Sequence, residues 1–384
     1  MAHFILLCII YAAFVSLGLP DSVLGVAWPA MRQDLRQPLE ALGLITVVLT
    51  ACSALSSFAS GQVLKRLGTG PVVLLSGFLT GGALLGFSFA PSFVWLLLLA
   101  IPLGLGAGSV DAGLNHFVAE HYSSRHMNWL HGFWGVGAII GPIIMGTAIA
   151  GTANWSGGYR YIAFVQLGLG FLFLISLPLW KRERTKAGRE KNILPASFKP
   201  LQRWMPWLAA SLFLIYAAIE MGVGLWTVSI LVEDRRVNPL AAGMWVSGFY
   251  GAIMVGRFAT GLIAERFGNR LLVRFGIIIA LIGAFFFAIP ELPPALSLIG
   301  LILLGLGCAP IYPSLMHETP RRFSPDIARS VVGRQVAFAY LGGAIMPAAF
   351  GLLAAHVGLI AVMPGVIVAI VLLLLGSEIL NRMT

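Results

Sequence analysis

From residue 3 onward the chain passes through one apolar stretch after another, each about 20 residues or longer and each closed by a short polar, proline or glycine break. A run of that length crosses the ~30 Å hydrocarbon core of a bilayer as an α-helix rising about 1.5 Å per residue. The breaks predict twelve spans, at 3–31, 39–64, 71–90, 93–119, 127–151, 158–180, 204–232, 239–264, 271–290, 294–317, 327–355 and 358–380. The short alternating segments of a membrane barrel do not occur. Within lipid a helix satisfies every backbone N–H and C=O inside its own segment, so the predicted fold class is an all-α membrane protein of twelve transmembrane helices. The first span runs into Asp21 and Trp28-Pro29 without a small-residue cleavage site and is expected to stay in place as a helix.

Composition agrees with the pattern. Of 384 residues, 58% are hydrophobic and only 10% charged, against roughly 25% charged in a soluble domain. Cys8, Cys52 and Cys308 stand singly in apolar spans, which argues against a disulfide scaffold or a cysteine metal site. The net charge of +10 is unevenly placed. Eighteen of the 25 Lys and Arg residues fall in the breaks around 65–70, 120–126, 181–203, 265–274 and 318–329 and at the C-terminal end, while Arg32, Arg36, Arg160, Arg235 and Arg236 fall on the other side. The positive-inside rule then predicts a multi-pass protein of the cell (inner or plasma) membrane with both termini in the cytoplasm. The basic run KRERTKAGREK at 181–191 lies beside a span, so anionic lipid headgroups are its expected partner and no nucleic acid is expected.

The same basic segment, 181–203, divides the chain into an N-terminal half, 1–180, and a C-terminal half, 204–384, of six spans each. Words recur across it at an offset of about 200 residues: Tyr11-Ala12-Ala13 with Tyr216-Ala217-Ala218, and Leu103-Gly104-Leu105-Gly106 with Leu304-Gly305-Leu306-Gly307. His116 and His317 each lie ten residues beyond the final glycine of that second pair, and Gly61-x-x-x-Lys65-Arg66-x-Gly68 returns as Gly261-x-x-x-Glu265-Arg266-x-Gly268. Duplicated six-span halves are one of the designs by which transporters alternate access to a midplane site.

The repeated words carry a family likeness. GLIAERFGNR (261–270) resembles the G-x-L-A-D-R-F-G-R-K loop signature of the major facilitator superfamily, and GQVLKRLGTG (61–70) its degenerate first copy. LPDSVLGVAWPAM (19–31), VDAGLNHF (110–117), NWLHGFWGVGAII (128–140) and GGAIMPAAFG (342–351) are most similar to the fucose permease-type sugar:proton symporters of that superfamily. The resemblance implies two pseudo-symmetric six-helix halves, a monomer, no cofactor, and gate roles for Lys65, Arg66, Arg257, Glu265 and Arg266. It departs at Lys65, where the family signature has an acid.

Ionisable groups inside spans are costly and so face a partner or a cavity. Asp111 and Asn115 are four residues apart on one face of span 4, about 60° round from the small-residue stripe Gly104, Gly108, Ala112. Asp21, Gly25 and Trp28 share a face of span 1, where Trp28 is either a sugar platform or an interfacial anchor. His131 and Trp134 lie with Asn128 along span 5, where the family likeness expects amides. Glu220 lies mid-span in span 7, either lining the site or paired with Arg257 or Arg334. The expected substrate-binding set is Asp21, Asn115, His131, Trp134 and Glu220, with Trp226 and Tyr250 beside them, and the expected proton-coupling acids are Asp111 and Asp21. His116, His121, His126 and His131 recur every five residues and so turn about 140° apart, which argues against a metal site. Spans 3, 6, 9 and 12 are almost featureless, which suits lipid-facing supports.

These features predict a secondary transporter importing a small neutral polar solute, a sugar, together with protons. Two other classes compete. Gly137-x-x-x-Gly141-Pro142-x-x-x-Gly146 resembles an antiporter motif and would suit proton-driven efflux of sugars or drugs. A non-transporting receptor or a membrane enzyme would need a catalytic elbow, a P-loop or a sizeable extramembrane domain, and the chain shows none of their motifs.

Overall fold

In a computed structural model of the chain, which describes residues 2–21, 23–38, 41–151, 154–190, 204–237 and 239–384, the apolar runs are helices. In order they are α1 (Ala2–Asp21), α2 (Val23–Asp34), α3 (Ala41–Leu67), α4 (Thr69–Phe87), α5 (Phe93–His121), α6 (Ser124–Ala150) and α7 (Asn154–Glu190). There follow α8 (Met205–Ser229), α9 (Pro239–Phe267), α10 (Asn269–Ala288), α11 (Pro294–Cys308), α12 (Ile311–Arg322), α13 (Pro325–Val357) and α14 (Val362–Met383). Among the described residues twelve segments are long and apolar enough to cross a membrane.

Breaks within spans have local causes. Pro20 sits in the last turn of α1, where it removes a backbone donor, and a second helix, α2, starts at Val23. Span 10 is α11 plus α12, parted at Ala309-Pro310, with Pro310 capping α12. Span 7 leaves α8 through a π-helical turn, Ile230–Asp234, a form of helix that concentrates at functional sites.

The chain forms two compact units, Met1–Phe117 with Leu130–Ala196, and Val118–Trp129 with Ser197–Thr384. The expected basic linker at 181–203 is helical as far as Glu190; its residues 191–203 lie outside the described residues. The segment Val118–Trp129, which precedes that linker in sequence, clusters with the second unit.

Lipid tails are as apolar as leucine, so helices in a membrane associate through close packing and hydrogen bonds at small residues. Both units use the repeated glycines in the same way. A Cβ on Gly104 would collide with the Leu49 carbonyl of α3, and one on Gly305 with the Phe249 carbonyl of α9. Gly106 meets Ser76 and Thr80 of α4, and Gly307 meets Gly276 and Ala280 of α10. The contact partners are displaced by 200 residues and the glycines themselves by 201. In the first unit Ser53 and Ser57 of α3 donate to the Gly104 and Gly108 carbonyls at 3.0 and 2.9 Å, and Ser76 to the Gly106 carbonyl at 2.6 Å.

Spans 3 and 6 share one buried polar tie. Gln166 of α7 accepts from Ser16 of α1 at 2.8 Å and donates to Thr80 of α4 at 2.9 Å, and all three side chains are buried. A lone glutamine in an apolar run becomes a three-helix tie once its neighbours are assembled.

Candidate functional site

In the first unit the polar groups of α5 and α6 form a chain. Helical spacing stacks Asn115 over Asp111, and the Asn115 amide donates to Asp111 Oδ1 at 2.7 Å and to the Asp111 carbonyl at 3.0 Å. Its Oδ1 lies 3.0 Å from His131 Nε2 on α6. An amide oxygen only accepts, so His131 carries a proton on Nε2. Asn115 is fully buried and His131 buried, with the imidazole edge-on to Phe14 at 5.4 Å. One turn further along α6, the Trp134 indole donates to Asp21 Oδ2 at 2.8 Å. Two acids lying within the spans of this unit are thereby tied, Asp21 directly and Asp111 through Asn115, to a single turn of α6.

Two neighbours expected here lie elsewhere. Trp28 is neither a platform nor an interfacial anchor: it is 1% exposed and packs in an apolar cluster with Phe87, Trp155 and Tyr159. The ring beside Asp21 is Trp134. The Asn128 amide is turned onto its own helix, donating to the Ser124 carbonyl at 2.9 Å.

The second unit has its own buried cluster. Tyr216 and Glu220 are four residues apart on α8, and Arg257 of α9 places Nη2 3.4 and 3.5 Å from the two Glu220 carboxylate oxygens and 3.2 Å from the Tyr216 hydroxyl. All three are buried. Of the two arginines that the sequence offered Glu220, the structure supplies Arg257. Arg334 instead lies over the Trp207 ring, 4.6 Å from its centroid. Arg257, for which a gate role is expected, is thus paired with Glu220 inside the unit. Tyr250, two turns before Arg257 on α9, sets its hydroxyl against Gly224 of α8, where a side chain would fill the space. The Trp226 ring packs on Gly351 of α13.

The duplicated loop signature folds into the same corner twice. Gly68 and Gly268 adopt φ of 81° and 77°, a conformation that costs glycine little, and each amide donates back at 2.9 Å, to Leu64 and Ala264 respectively. A helix resumes at the next residue in both cases. The side chains differ. Lys65 and Arg66 are exposed, whereas Glu265, also exposed, accepts from the Ser123 hydroxyl at 2.7 Å and meets Arg125 Nη2 at 3.3 Å. Arg266 lies over Phe267 at 5.7 Å. Trp129 reinforces the Glu265 contact by donating its indole N–H to the Phe258 carbonyl at 3.2 Å. The sequence did not reveal Ser123 or Arg125 as members of this cluster, because nothing in the expected break at 120–126 indicates which helix it will touch. Glu265→Gln should therefore raise the thiol accessibility of a cysteine placed in 122–129 by about twofold to fivefold, the worth of exposed ion pairing, while Lys65→Gln leaves it unchanged. Equal responses would remove the asymmetry.

Two six-span units of one internal design, each with a buried polar cluster in apolar helices, define a multi-pass membrane transporter rather than an enzyme. The chain belongs to the major facilitator superfamily, whose family model matches residues 10–347. It is 24% identical over 329 residues to the cis,cis-muconate transport protein of Acinetobacter baylyi, covering 81% of this chain and 78% of that one. It is 26% identical over 238 residues to the glucose/mannose transporter GlcP of Bacillus subtilis; that match spans 59% of this chain and little more than half, 58%, of the relative. Its fold is similar to that of a point variant of the E. coli fucose:proton symporter FucP, with a TM-score of 0.74, 15% identity and 99% of each chain covered.

Proposed function

We propose that this transporter imports a small neutral polar solute of the sugar class with protons, in the cell membrane and with both termini in the cytoplasm. The observation that carries the reading is the chain Asp111–Asn115–His131, joined through one turn of α6 to the pair Trp134–Asp21. An acid embedded in an apolar helix and tied to an imidazole and an indole couples a proton-binding group to groups that recognise hydroxyls and the apolar face of a ring. Asp111 carries the proton; Asp21, Asn115, His131 and Trp134 contact the solute. In the second unit Glu220, Tyr250 and Trp226 contribute, and Lys65, Arg66, Glu265 and Arg266 serve the gate.

Charge accounting supports a neutral solute. The buried Arg257 is already matched by Glu220, so this cation is not free to bind an acidic substrate. The efflux reading draws less support, because Gly137 and Gly141 of its motif sit against the Val15 and Leu19 carbonyls of α1, where they let two helices approach.

Counterflow of a panel of labelled sugars in proteoliposomes, with and without a pH gradient, tests the proposal. Exchange of a dicarboxylate or a hydrophobic drug, with no sugar exchanged, would refute it. For the exchanged sugar, His131→Ala and Trp134→Ala should each weaken affinity about tenfold, the equivalent of about 1.4 kcal/mol. Affinities within about twofold of the parent protein, well under 1 kcal/mol, would remove both residues from the site.

A further inference from the structure

His317 lies outside every role assigned above. It is 1% exposed on α12, and its hydrogen bonds leave little freedom in where its proton sits. Asn269 of α10 sets the polarity. Its Nδ2 is 2.8 Å from Glu318 Oε1, and a carboxylate accepts, so that nitrogen donates and the amide cannot be turned round. The Asn269 Oδ1 in turn accepts from the Ser124 hydroxyl. The second Nδ2 hydrogen points at His317 Nδ1, 3.0 Å away, which must then be the unprotonated nitrogen. Nε2 lies 2.8 Å from the Tyr122 carbonyl, which only accepts, so Nε2 carries the hydrogen. The neutral imidazole with its proton on Nε2 satisfies every partner.

An imidazolium does not. A hydrogen on Nδ1 would face the hydrogen of the Asn269 amide. It would also lie under the Arg321 guanidinium, whose Nη1 is 2.8 Å from Nδ1 and 3.4 Å from Nε2 and hence sits over the ring face. Compensation is weak. Glu318, the nearest acid, is shared with Arg270 of α10 at 3.5 Å and Arg322 of its own helix at 3.9 Å, and Arg322 is in turn capped by the Asn381 amide of α14. From the segment 122–126 the nearby ionisable groups are Arg125, held by Glu265 of α9, and His126, whose ring is edge-on to Tyr122 at 5.7 Å.

We propose that His317 is a proton-binding site separate from the transport acids, and that its protonation releases the α5–α6 connection. When neutral, the imidazole and Asn269 hold the Tyr122 carbonyl and the Ser124 hydroxyl against α10 and α12. When charged, it breaks both contacts and frees the adjoining ends of α5 and α6. Exposed Arg321, one turn away, marks a short path for a proton from the aqueous side. The device works at this end of the molecule whichever solute is carried and whichever way it moves.

The test reads the connection directly. Met127, buried beside it, is replaced by cysteine in the full chain with Cys8, Cys52 and Cys308 changed to alanine, and the protein is reconstituted in nanodiscs. Maleimide labelling is followed from about pH 8 to about pH 5.5, the range over which histidine titrates, and divided by the rate for the unfolded chain at each pH. The ratio should rise on acidification by up to about tenfold per pH unit, the limit for one proton, and His317→Gln should flatten it. A flat ratio with His317 present, or an unchanged slope in His317→Gln, overturns the proposal. Should His317→Gln fail to fold, Arg321→Gln takes its place: removing the cation over the ring must weaken the slope, and an unaltered slope is equally fatal.

Discussion

Vesicles carrying Asp111→Asn should exchange labelled solute across the membrane at close to the parent rate, yet fail to accumulate it when a pH gradient is imposed. An asparagine has the shape of a protonated aspartate and still offers an oxygen to the Asn115 amide 2.7 Å away, so the link through Asn115 to His131 survives. What is lost is the ability to take up and release a proton. A gradient of one pH unit is worth about 1.4 kcal/mol per proton, or about tenfold accumulation. The variant should therefore bring the inside-to-outside ratio to about one, while counterflow on the same vesicles changes less than about twofold. Full accumulation would mean that the proton travels elsewhere or not at all, and loss of both activities would make Asp111 a structural or solute-binding residue. Asp21→Asn should behave differently, lowering affinity: its amide oxygen can still accept the Trp134 indole hydrogen, but the second oxygen and the charge that would accept from solute hydroxyls are lost.

The other large effect concerns stability. Arg257→Met should destabilise the protein by about 3–5 kcal/mol in reversible unfolding in mixed micelles, because it strands the Glu220 carboxylate in a site sealed from water. The double variant Glu220→Gln, Arg257→Met should recover most of that loss, since it removes both charges together and leaves the amide near the Tyr216 hydroxyl. A loss below about 1 kcal/mol for the single variant would show that water reaches the pair, as at exposed ion pairs. Transport by the double variant separates the roles of the pair. Retained counterflow would mark it as a structural clamp between α8 and α9, whereas abolished counterflow in a stable protein would put Glu220 on the solute's path.

Several parts of this protein could be read along the chain because a membrane imposes local rules. Each stretch had to close its own hydrogen bonds in lipid, so run length alone predicted the twelve spans, with ends displaced by a few residues, as in Thr69–Phe87 against 71–90. Contacts between residues three or four apart were equally legible, since helix geometry alone stacks Asn115 on Asp111 and Tyr216 on Glu220. The repeat at 200 residues anticipated that Gly68 and Gly268 turn the same corner and that Gly104 and Gly305 pack alike.

What the sequence could not determine is how each helix is rotated about its own axis. In a soluble protein the apolar stripe points to the core, but in a membrane both lipid and protein faces are apolar, and the stripe disappears. Trp28 could thus be read beside Asp21 when it is buried with Trp155 and Tyr159, and Glu220 could be read toward either Arg257 or Arg334 when only Arg257 faces it. The choice of partner was made by tertiary packing, through backbone approaches at glycine that set one helix's rotation against the next. The polarity of His317 lies at the far end of the same dependence: it needs α10, α12 and the 122–124 connection in place at once, because only three converging hydrogen bonds can settle where one proton sits.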